Sequence, residues 1–216
     1  MPQAFRPHTV LLLKAGALLA VGLLIGVTIL LRWAITPASA LNEPVPQPIP
    51  FSHKHHVGDD GIDCRFCHNS VERSSFAGLP SSQTCLTCHS QLFRDEPVFA
   101  PLHASASSGK PLRWTRVHDL PDFVYFDHRI HISKGVACLN CHGRVDQMPL
   151  MKREATLDMQ WCLACHRSDT HHIGPLDRVF AMDPGAPLTA EEQQRLQRLL
   201  HINSQRRLTD CSTCHR

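Results

Sequence analysis

The cysteines constrain this chain more than any other residues, because all ten of them fall in C-x-x-C pairs and a histidine follows every pair. Histidine occupies 16 of 216 positions, so five such coincidences are not expected by chance. A C-x-x-C-H motif is the attachment signal of a c-type haem, in which two thiols form thioethers and the adjacent imidazole binds the iron as its proximal ligand. We number the five predicted haem sites in chain order as Cys64/Cys67/His68, Cys85/Cys88/His89, Cys138/Cys141/His142, Cys162/Cys165/His166 and Cys211/Cys214/His215.

Two other uses of paired cysteines are open at this point. Structural zinc favours two C-x-x-C pairs for each metal ion, and five pairs do not divide evenly. Disulfides in an exported protein would use all ten cysteines, but they do not require a histidine after every pair. Five covalently attached c-type haems account for both the number of pairs and the histidines, so we predict them as the cofactors.

The composition indicates that the haems themselves form the core. Aromatic residues make up only 6% of the chain, and roughly 35 residues for each haem are too few for a separate side-chain core around each macrocycle. We therefore predict a multihaem cytochrome c, mostly irregular with short α-helices wrapped round the haems, plus one N-terminal transmembrane helix. The formal charge of +3 becomes about −7 once about ten haem propionates are counted. The apparent basicity is therefore no sign of a nucleic-acid partner, and none is predicted.

The N-terminus contains an apolar run that is long enough to cross a membrane. Residues 10–31 would span about 33 Å as a helix, which is enough for a bilayer core. We predict a cytoplasmic N-terminus 1–9, a transmembrane anchor helix 10–31 in contact with membrane lipid, and a Pro-rich linker 32–50 that acts as a semi-rigid spacer. The alternative is a cleaved signal peptide, because the run Ala38-Ser39-Ala40 has the form of a cleavage site.

The predicted haems also indicate where the chain lies. Bacterial c-type haems are attached outside the cytoplasmic membrane. The chain is therefore predicted to be a single-pass protein of the bacterial inner (cytoplasmic) membrane with its haem domain facing the periplasm.

Two segments repeat the pattern F-x-H-[KR]-x-H ahead of a pair of haem motifs. Phe51 begins the first copy and Phe126 begins the second, and each copy is followed by a glycine and then by two motifs. This repeat predicts two related di-haem modules. The first module and the connector after it occupy 51–125, and the second module occupies 126–180.

The connector and the C-terminal part do not belong to the repeat. Residues 94–122 are rich in turn formers, so we predict a surface loop there. In 181–216 we predict a C-terminal helix and the fifth haem motif. A capping box from Thr189 to Glu192 and a spaced row of leucines predict the helix from 190 to about 206, the longest outside the membrane.

Each haem iron has a second axial position, which histidines outside the motifs can fill. In an H-x-x-H pair, one ring can serve the haem that follows and the other a neighbouring haem. The fifth distal ligand is open between two residues, and a thioether there would raise the potential of its haem. We predict His53, His56, His128 and His131 as distal ligands, with His55 as the alternative to His56. The fifth distal ligand is predicted to be His118 or Met151, with His103, His171, His172 and His201 ranked below them.

Three stretches closely resemble a known family. They are FSHKHHVGDDGIDCRFCH, RWTRVHDLPDFVYFDHRIHISKGVACLNCHGRVDQMPLM and the terminal CSTCHR. They resemble the pentahaem, membrane-anchored cytochrome c subunit of bacterial alternative complex III, over nearly the whole of 51–216. The resemblance implies an electron-transfer subunit, a five-haem wire that is not catalytic alone. It also implies bis-His ligation of most haems and one His/Met haem.

The same resemblance implies the partners. The complex oxidises quinol and passes electrons through iron–sulfur clusters and c-type haems to a periplasmic cytochrome c or a terminal oxidase. No cysteine of this chain is left over for a cluster, so an iron–sulfur protein is expected as a partner. A polytopic quinol-binding subunit and a mono-haem cytochrome c are expected beside it.

Three other interpretations stay open. The first is the hexahaem subunit of the related periplasm-facing menaquinone reductase complex, which passes electrons in the opposite direction, although five motifs instead of six count against it. The second is a membrane-anchored multihaem quinol dehydrogenase that contacts the quinol pool directly. The third is a multihaem enzyme that reduces a small oxyanion at a haem with an open axial position.

Overall fold

The computed structural model describes residues 7–35, 41–168 and 172–215. The chain divides into two compact units, Met1–Ala40 and Leu41–Arg216. About half of the described residues are helical and none of them forms a strand. This architecture of short helices with one long N-terminal helix confirms the predicted fold class.

The first unit contains one long helix, α1, which covers Pro7–Ile35. Its stretch His8–Arg32 is 25 residues long and reaches a mean hydropathy of 2.4, which is enough to cross a membrane. The large apolar side chains of this stretch are exposed, Leu18 by 74% for example, so the protein itself does not cover them. The helix extends beyond the predicted span 10–31, while the possible cleavage site at 38–40 lies outside the described residues.

The second unit consists of short helices joined by loops. Its α-helices are α2 Cys64–Cys67, α3 Ser82–His89, α4 Ala100–Ser108, α5 His128–Ser133, α6 Leu139–His142, α7 Met159–Arg167, α8 Ala190–Leu199, α9 Gln205–Leu208 and α10 Cys211–Cys214. A π-helix covers Lys54–Asp59, and 3-10 turns cover Pro97–Phe99, Val145–Gln147 and Leu176–Arg178.

A side-chain cap starts the helix of four of the five haem motifs. Asp63, Ser81, Asp158 and Asp210 each accept a hydrogen bond from a main-chain N–H two or three residues further on, at 2.8 to 3.3 Å. Such caps are the usual start signal of a helix. Residues i and i+3 lie on the same face of a helix. The helix that the cap starts therefore places both thiols of a motif on one side. The third motif differs, since Cys138 itself precedes α6 without a side-chain cap.

Few side chains are buried in the second unit. The large apolar residues below a tenth exposure among those described are Ile49, Val71, Leu102, Val145, Met148, Ile173, Val179 and Leu200. The unit has 176 residues from Leu41 to Arg216, and a soluble domain of this size normally buries many more. The sparse side-chain core is the result expected if cofactors fill the centre.

The prediction of a spacer is wrong for residues 41–50, because this segment packs on the second unit. The N–H of Asn42 donates to the carbonyl of Arg153 at 2.8 Å, and the N–H of Val45 donates to the carbonyl of Met151 at 3.0 Å. The side-chain amide of Gln47 makes two hydrogen bonds to the main chain of Thr115, each 2.9 Å long. The residues between the prolines keep their N–H groups, and these hold the segment in place.

The prediction of a surface loop between 94 and 122 is wrong in part. This region contains a 3-10 turn and α4, which begins with Pro101 in its first turn and ends at Gly109 with φ +70°. Leu102 on α4 is 1% exposed. The alanines and serines of α4 lack the apolar periodicity that predicts a helix, so burial of this leucine and the glycine cap decide the structure.

The C-terminal helix begins as predicted and ends early. Its capping box is present, and at ten residues α8 is the longest helix in the described part of the second unit. It ends at Leu199 instead of continuing to about 206, because His201 adopts a left-handed φ of +49°. The Lys134 ammonium then caps the free carbonyls, donating to that of Leu200 at 2.7 Å.

Candidate haem sites

The cysteines of the five motifs are all free thiols, so the disulfide alternative is not supported. Eight of the ten are partly buried, and Cys88 of the second motif and Cys211 of the fifth are exposed. The first, third and fourth motifs therefore have both of their thiols partly covered by the protein.

Cys88 is exposed although it belongs to a predicted haem motif. The reason is its position in the last turn of α3, where the chain reverses at the surface. The N–H groups of Gln91 and Leu92 both donate to the carbonyl of Cys88 at 3.0 Å. The role of Cys88 in haem attachment stays a prediction.

The five motif imidazoles are oriented by their surroundings, four of them by the main chain. In these four, Nδ1 lies within hydrogen-bond distance of a main-chain carbonyl oxygen. The pairs are His68 with Gly78 at 2.8 Å, His89 with Leu92 at 3.1 Å, His166 with Leu208 at 3.0 Å and His215 with Phe123 at 3.1 Å. A carbonyl only accepts, so Nδ1 carries the proton and Nε2 presents its lone pair. This is the tautomer that an iron ligand needs.

His142 of the third site is held differently. Burial first, and then the neighbouring His118 and His128, lower its pKa to about 3. A neutral imidazole is the form that binds a metal ion. The third site is therefore surrounded by other imidazoles.

Three of the four predicted distal histidines have the same orientation. The Nδ1 atoms of His56, His128 and His131 lie 2.8 Å from the carbonyls of Ser52, Ser75 and Asp127, respectively. Their Nε2 atoms are again free to act as ligands. The Nδ1 of His53 is buried without a hydrogen-bond partner among the described residues.

The distal rings lie opposite motif rings at one recurring distance. The ring centroids of His56 and His89 are 6.1 Å apart, those of His128 and His142 are 6.3 Å apart, and those of His131 and His166 are 6.2 Å apart. A metal–imidazole bond of about 2 Å, with about 1.1 Å more from nitrogen to ring centroid, puts two rings about 6.2 Å apart across one iron. The residues therefore fit a c-type haem at each of these three sites.

The repeat indicates which histidine is the distal partner at the first site. His53 occupies the place in the first module that His128 occupies in the second. The pKa of His53 is lowered to about 4, by burial first and then by the charge of His68.

One aromatic ring supports both distal histidines of each module. Phe51 meets His53 edge-on at 4.9 Å and stacks on His56 at 4.4 Å. Phe126 meets His128 edge-on at 4.8 Å and stacks on His131 at 4.5 Å. The repeated phenylalanine was visible in the sequence, but its contact with both imidazoles was not predicted.

His55, the alternative to His56, faces carboxylates. Its Nδ1 lies 3.6 Å from Asp59 and its Nε2 lies 3.5 Å from Asp60, and its side chain is 57% exposed. Both ring nitrogens are therefore engaged at the surface. The geometry favours His56 as the distal histidine of the second site.

The candidates for the fifth distal ligand are dispersed. The ring of His118 lies 4.3 Å from that of His142 at an angle of 72°, so the structure places it beside the third site. Its Nε2 is buried without a hydrogen-bond partner among the residues described. Burial and then Arg153 and His128 lower the pKa of His118 to about 4. Its role as a ligand stays a prediction.

The other candidates are in different surroundings. Met151 accepts a hydrogen bond from Val45 through its carbonyl, and the role of its thioether stays a prediction. The Nε2 of His103 donates to the carbonyl of Arg94 at 3.0 Å, which occupies the nitrogen that would bind iron. His171 lies outside the described residues, whereas His172 and His201 both have left-handed backbones.

Comparison with known proteins shows the family to which the chain belongs. The family model described as cytochrome c7 and related cytochrome c matches residues 124–216. The chain is also similar to the multihaem cytochrome c subunit of menaquinone reductase from Nitratidesulfovibrio vulgaris (strain Hildenborough). The two are 36% identical over 146 residues, which cover 58% of this chain and 70% of that protein.

Proposed function

Because the chain belongs to the multihaem cytochrome c family, we propose that it carries five c-type haems and is an electron-transfer subunit of a quinone-linked membrane complex. The observation that carries the proposal is the set of opposed imidazole rings 6.1 to 6.3 Å apart. A bound haem c supplies an iron that gains or loses one electron at a time.

The ligands follow from the geometry and the repeat. At each site, the two cysteines hold the haem through thioethers, and the histidine that follows them is the proximal ligand. Main-chain carbonyls keep four of the five motif imidazoles in the tautomer with a free Nε2. Burial lowers the pKa of the fifth, His142, so that this imidazole is neutral. We assign the distal ligands in pairs with the proximal ones as His53–His68, His56–His89, His128–His142 and His131–His166.

The distal ligand of the fifth site is the least defined. The ring of Phe123 stacks on His215 with a centroid distance of 5.8 Å. Of the two predicted candidates, His118 lies beside the third site, so Met151 is the candidate that we propose for the fifth site. A thioether would give this haem a higher potential than its bis-His neighbours. Replacing Met151 with leucine would remove the near-infrared band of a ferric His/Met haem if the thioether is the ligand. His118→Ala would leave that band in place.

We propose α1 as the anchor of the subunit in the bacterial inner membrane, with the haem domain in the periplasm. Its exposed apolar side chains suit membrane lipid. The proposed protein partners are an iron–sulfur protein, a polytopic quinol-binding subunit and a mono-haem cytochrome c. In this complex, electrons from quinol pass through the chain to a periplasmic cytochrome c or a terminal oxidase, as in alternative complex III.

A second function has its own support. The similar protein from Nitratidesulfovibrio vulgaris is a subunit of a menaquinone reductase, in which electrons would run from periplasmic donors towards the quinone. The ligand geometry suits both directions, because each iron only accepts and releases an electron.

The direction of electron flow is tested with the assembly that co-purifies with the chain in mild detergent. Mass spectrometry of the chain first counts its covalently bound haems, with five expected. Quinol is then added to the oxidised assembly and menaquinone to the reduced one, and the haem α-band is followed. Fast reduction by quinol supports the quinol-oxidising complex, and fast oxidation by menaquinone supports the menaquinone reductase.

The isolated chain is the control. If quinol reduces the chain alone as fast as it reduces the assembly, the relay proposal fails and the chain is a direct quinol dehydrogenase. A high-spin signal that shifts when a small oxyanion is added would instead identify an enzyme with an open haem.

A further inference from the structure

The two sites within each module are neighbours. His128 and His131 lie three positions apart on α5 and oppose His142 and His166, so the third and fourth sites share one helix.

The first module repeats this arrangement. His56 lies opposite His89, and the ring of Phe51 contacts both His56 and His53, the proposed distal ligand of the first site. The first and second sites are therefore neighbours as well.

The two modules meet between the first and third sites. The N–H and the Nδ1 of His128, at the third site, both lie against the carbonyl of Ser75 in the loop that follows the first motif.

The fifth site adjoins the fourth. Helix α7, which carries the fourth motif, packs on α9, which directly precedes the fifth. The Nδ1 of His166 donates to the carbonyl of Leu208 on α9.

The second site is enclosed on its other side by the connector. The ring of His89 lies 4.4 Å from that of Phe99 and 6.4 Å from that of Phe93. Helix α3, which carries the second motif, packs on α4 of the connector. Apart from the first site, the described residues that contact the second site thus belong to the connector.

The exposure of the thiols agrees with these contacts. The structure describes all ten cysteines, and the two exposed ones, Cys88 and Cys211, belong to the second and fifth motifs. A site with one neighbouring site has more of its surface free than a site with two. The thiols of the first, third and fourth motifs, which have two neighbours each, are all partly buried.

We propose that the five haem sites lie in single file in the order second, first, third, fourth, fifth, so that the second and fifth sites are the ends where redox partners exchange electrons with the chain. This inference rests on the proposed function. The donor partner loses one electron, each site in turn passes it to its oxidised neighbour, and the acceptor partner gains it, so every transfer is balanced.

Each end offers a matched position for a photosensitiser. Leu92 and Phe123 are 56% and 62% exposed, and their carbonyls hold His89 of the second site and His215 of the fifth. In the holoprotein all ten native cysteines form thioethers, so Leu92→Cys or Phe123→Cys supplies one thiol for a ruthenium complex. A flash then injects an electron at a chosen end.

The arrival of the electron is recorded at a trap. His53→Met, His128→Met and His131→Met each keep all five haems and raise the potential of the first, third or fourth site. Bleaching of the ferric His/Met band reports when the trap fills. From Leu92→Cys we expect filling times that lengthen from His53→Met to His128→Met to His131→Met, and from Phe123→Cys we expect the reverse order.

The outcomes separate the order from the ligand assignment on which it rests. The same sequence of filling times from both ends, or a fourth-site trap that fills before a first-site trap from Leu92→Cys, overturns the single file. If none of the three methionine variants shows the His/Met band, the distal assignments of the proposed function fail. Unchanged Soret spectra and haem counts verify that each variant is folded.

Discussion

The two di-haem modules keep the same ligand geometry on different helices. Phe51 and Phe126 contact their two histidines at distances that agree within 0.1 Å. In both modules the second histidine donates its main-chain N–H to the residue four positions back, Ser52 or Asp127. After this turn the first module continues as a π-helix and the second as an α-helix. The repeat therefore preserves the turn that places the ligands, and the rest of each helix follows its own surroundings.

The modules also differ in what holds them from outside. The glycine after each ligand pair approaches a carbonyl from another segment, Gly58 that of Asp146 and Gly135 that of Gly174. Only Gly135 has a positive φ, of +77°. Thus the same sequence feature performs one task in the first module and two tasks in the second.

The largest effect is expected from replacing these glycines with alanine. A Cβ at Gly58 would overlap the carbonyl oxygen of Asp146, which should cost about 1 to 3 kcal/mol of unfolding free energy. Gly135→Ala adds the left-handed backbone to a similar overlap and should cost about 2 to 5 kcal/mol. Denaturant unfolding of the holoprotein, followed by the Soret band, measures both.

Gly61 is the control that isolates the backbone strain. Its φ is +67°, and a Cβ there would meet no atom within 4 Å, so Gly61→Ala should cost about 1 to 2 kcal/mol. The loss in Gly135→Ala should approach the sum of the losses at Gly61 and Gly58. A loss at Gly135 no greater than that at Gly61 would contradict the close approach to Gly174.

A smaller effect is expected from the two phenylalanines. Phe126→Leu keeps the apolar volume but removes the ring that orients His128 and His131, with a cost of about 1 kcal/mol in stability. The ferric EPR signals of the third and fourth sites should change, and those of the first and second should not. Phe51→Leu should give the converse pattern.

Phe180 provides the matched control for this pair. Its ring lies 4.6 Å below the guanidinium of Arg65. Phe180→Leu should therefore leave the EPR signals in place. Equal changes at all sites in Phe126→Leu would show that the ring supports the fold as a whole and not its two ligands.

The angle between opposed rings distinguishes the modules without any change of fold. His56 and His89 are inclined by 64°, whereas His131 and His166 are inclined by 22°. Crossed axial rings leave the iron d orbitals closer in energy than parallel rings do, so the ferric second site should have the larger maximum g value. His56→Ala should remove that signal, and its loss in His131→Ala instead would contradict the assignment.

The repeated ligand pairs of the site could be predicted from the sequence, whereas the covalent attachment of the haems stays a prediction. The haem motifs are local, and the H-x-x-H pairs are marked by the repeat, so His56, His128 and His131 could be predicted and now lie opposite motif imidazoles. The carbonyls that fix the rings, such as those of Ser75 and Leu208, could not be predicted, because any residue supplies a carbonyl. The order of the sites depends on contacts between modules, which no local pattern contains.

The exposure of individual thiols could not be predicted either. The five motifs have the same local pattern, yet Cys88 is exposed and its counterpart in the fourth motif, Cys165, is partly buried. The difference depends on how many other segments pack round each motif. A repeated motif therefore predicts the chemistry of its site but not its depth in the protein.

The same limit explains the errors in the fold. The prolines of 41–50 predicted an extended segment, but its hydrogen bonds go to residues more than 60 positions away, which a local pattern does not specify. Helix α4 depends on the burial of Leu102. Helix α8 ends early where His201 turns left-handed, and Lys134 of the second module caps the carbonyl of Leu200 there.

The smallest effect is expected from a pair of acidic residues at matching positions after the first and third motifs. Asp146 lies 2.6 Å from Arg144 and is 14% exposed, whereas Glu72 lies 3.7 Å from Arg65 and is 51% exposed. The hydrogen bond from Arg144 lowers the pKa of Asp146. A carboxylate with a lowered pKa stabilises the fold above its ordinary pKa, and this contribution is lost as the pH falls through the lowered value.

Asp146→Asn should therefore destabilise the holoprotein slightly at neutral pH, by less than either glycine variant. The difference from the wild type should shrink as the pH falls below about 4, where the wild type also loses the charge. Glu72→Gln should change the thermal midpoint little at any pH, because an exposed pair at this distance contributes little. A loss in Glu72→Gln equal to that in Asp146→Asn would show that burial of the second module's pair adds nothing, and that the two modules are equivalent in this respect.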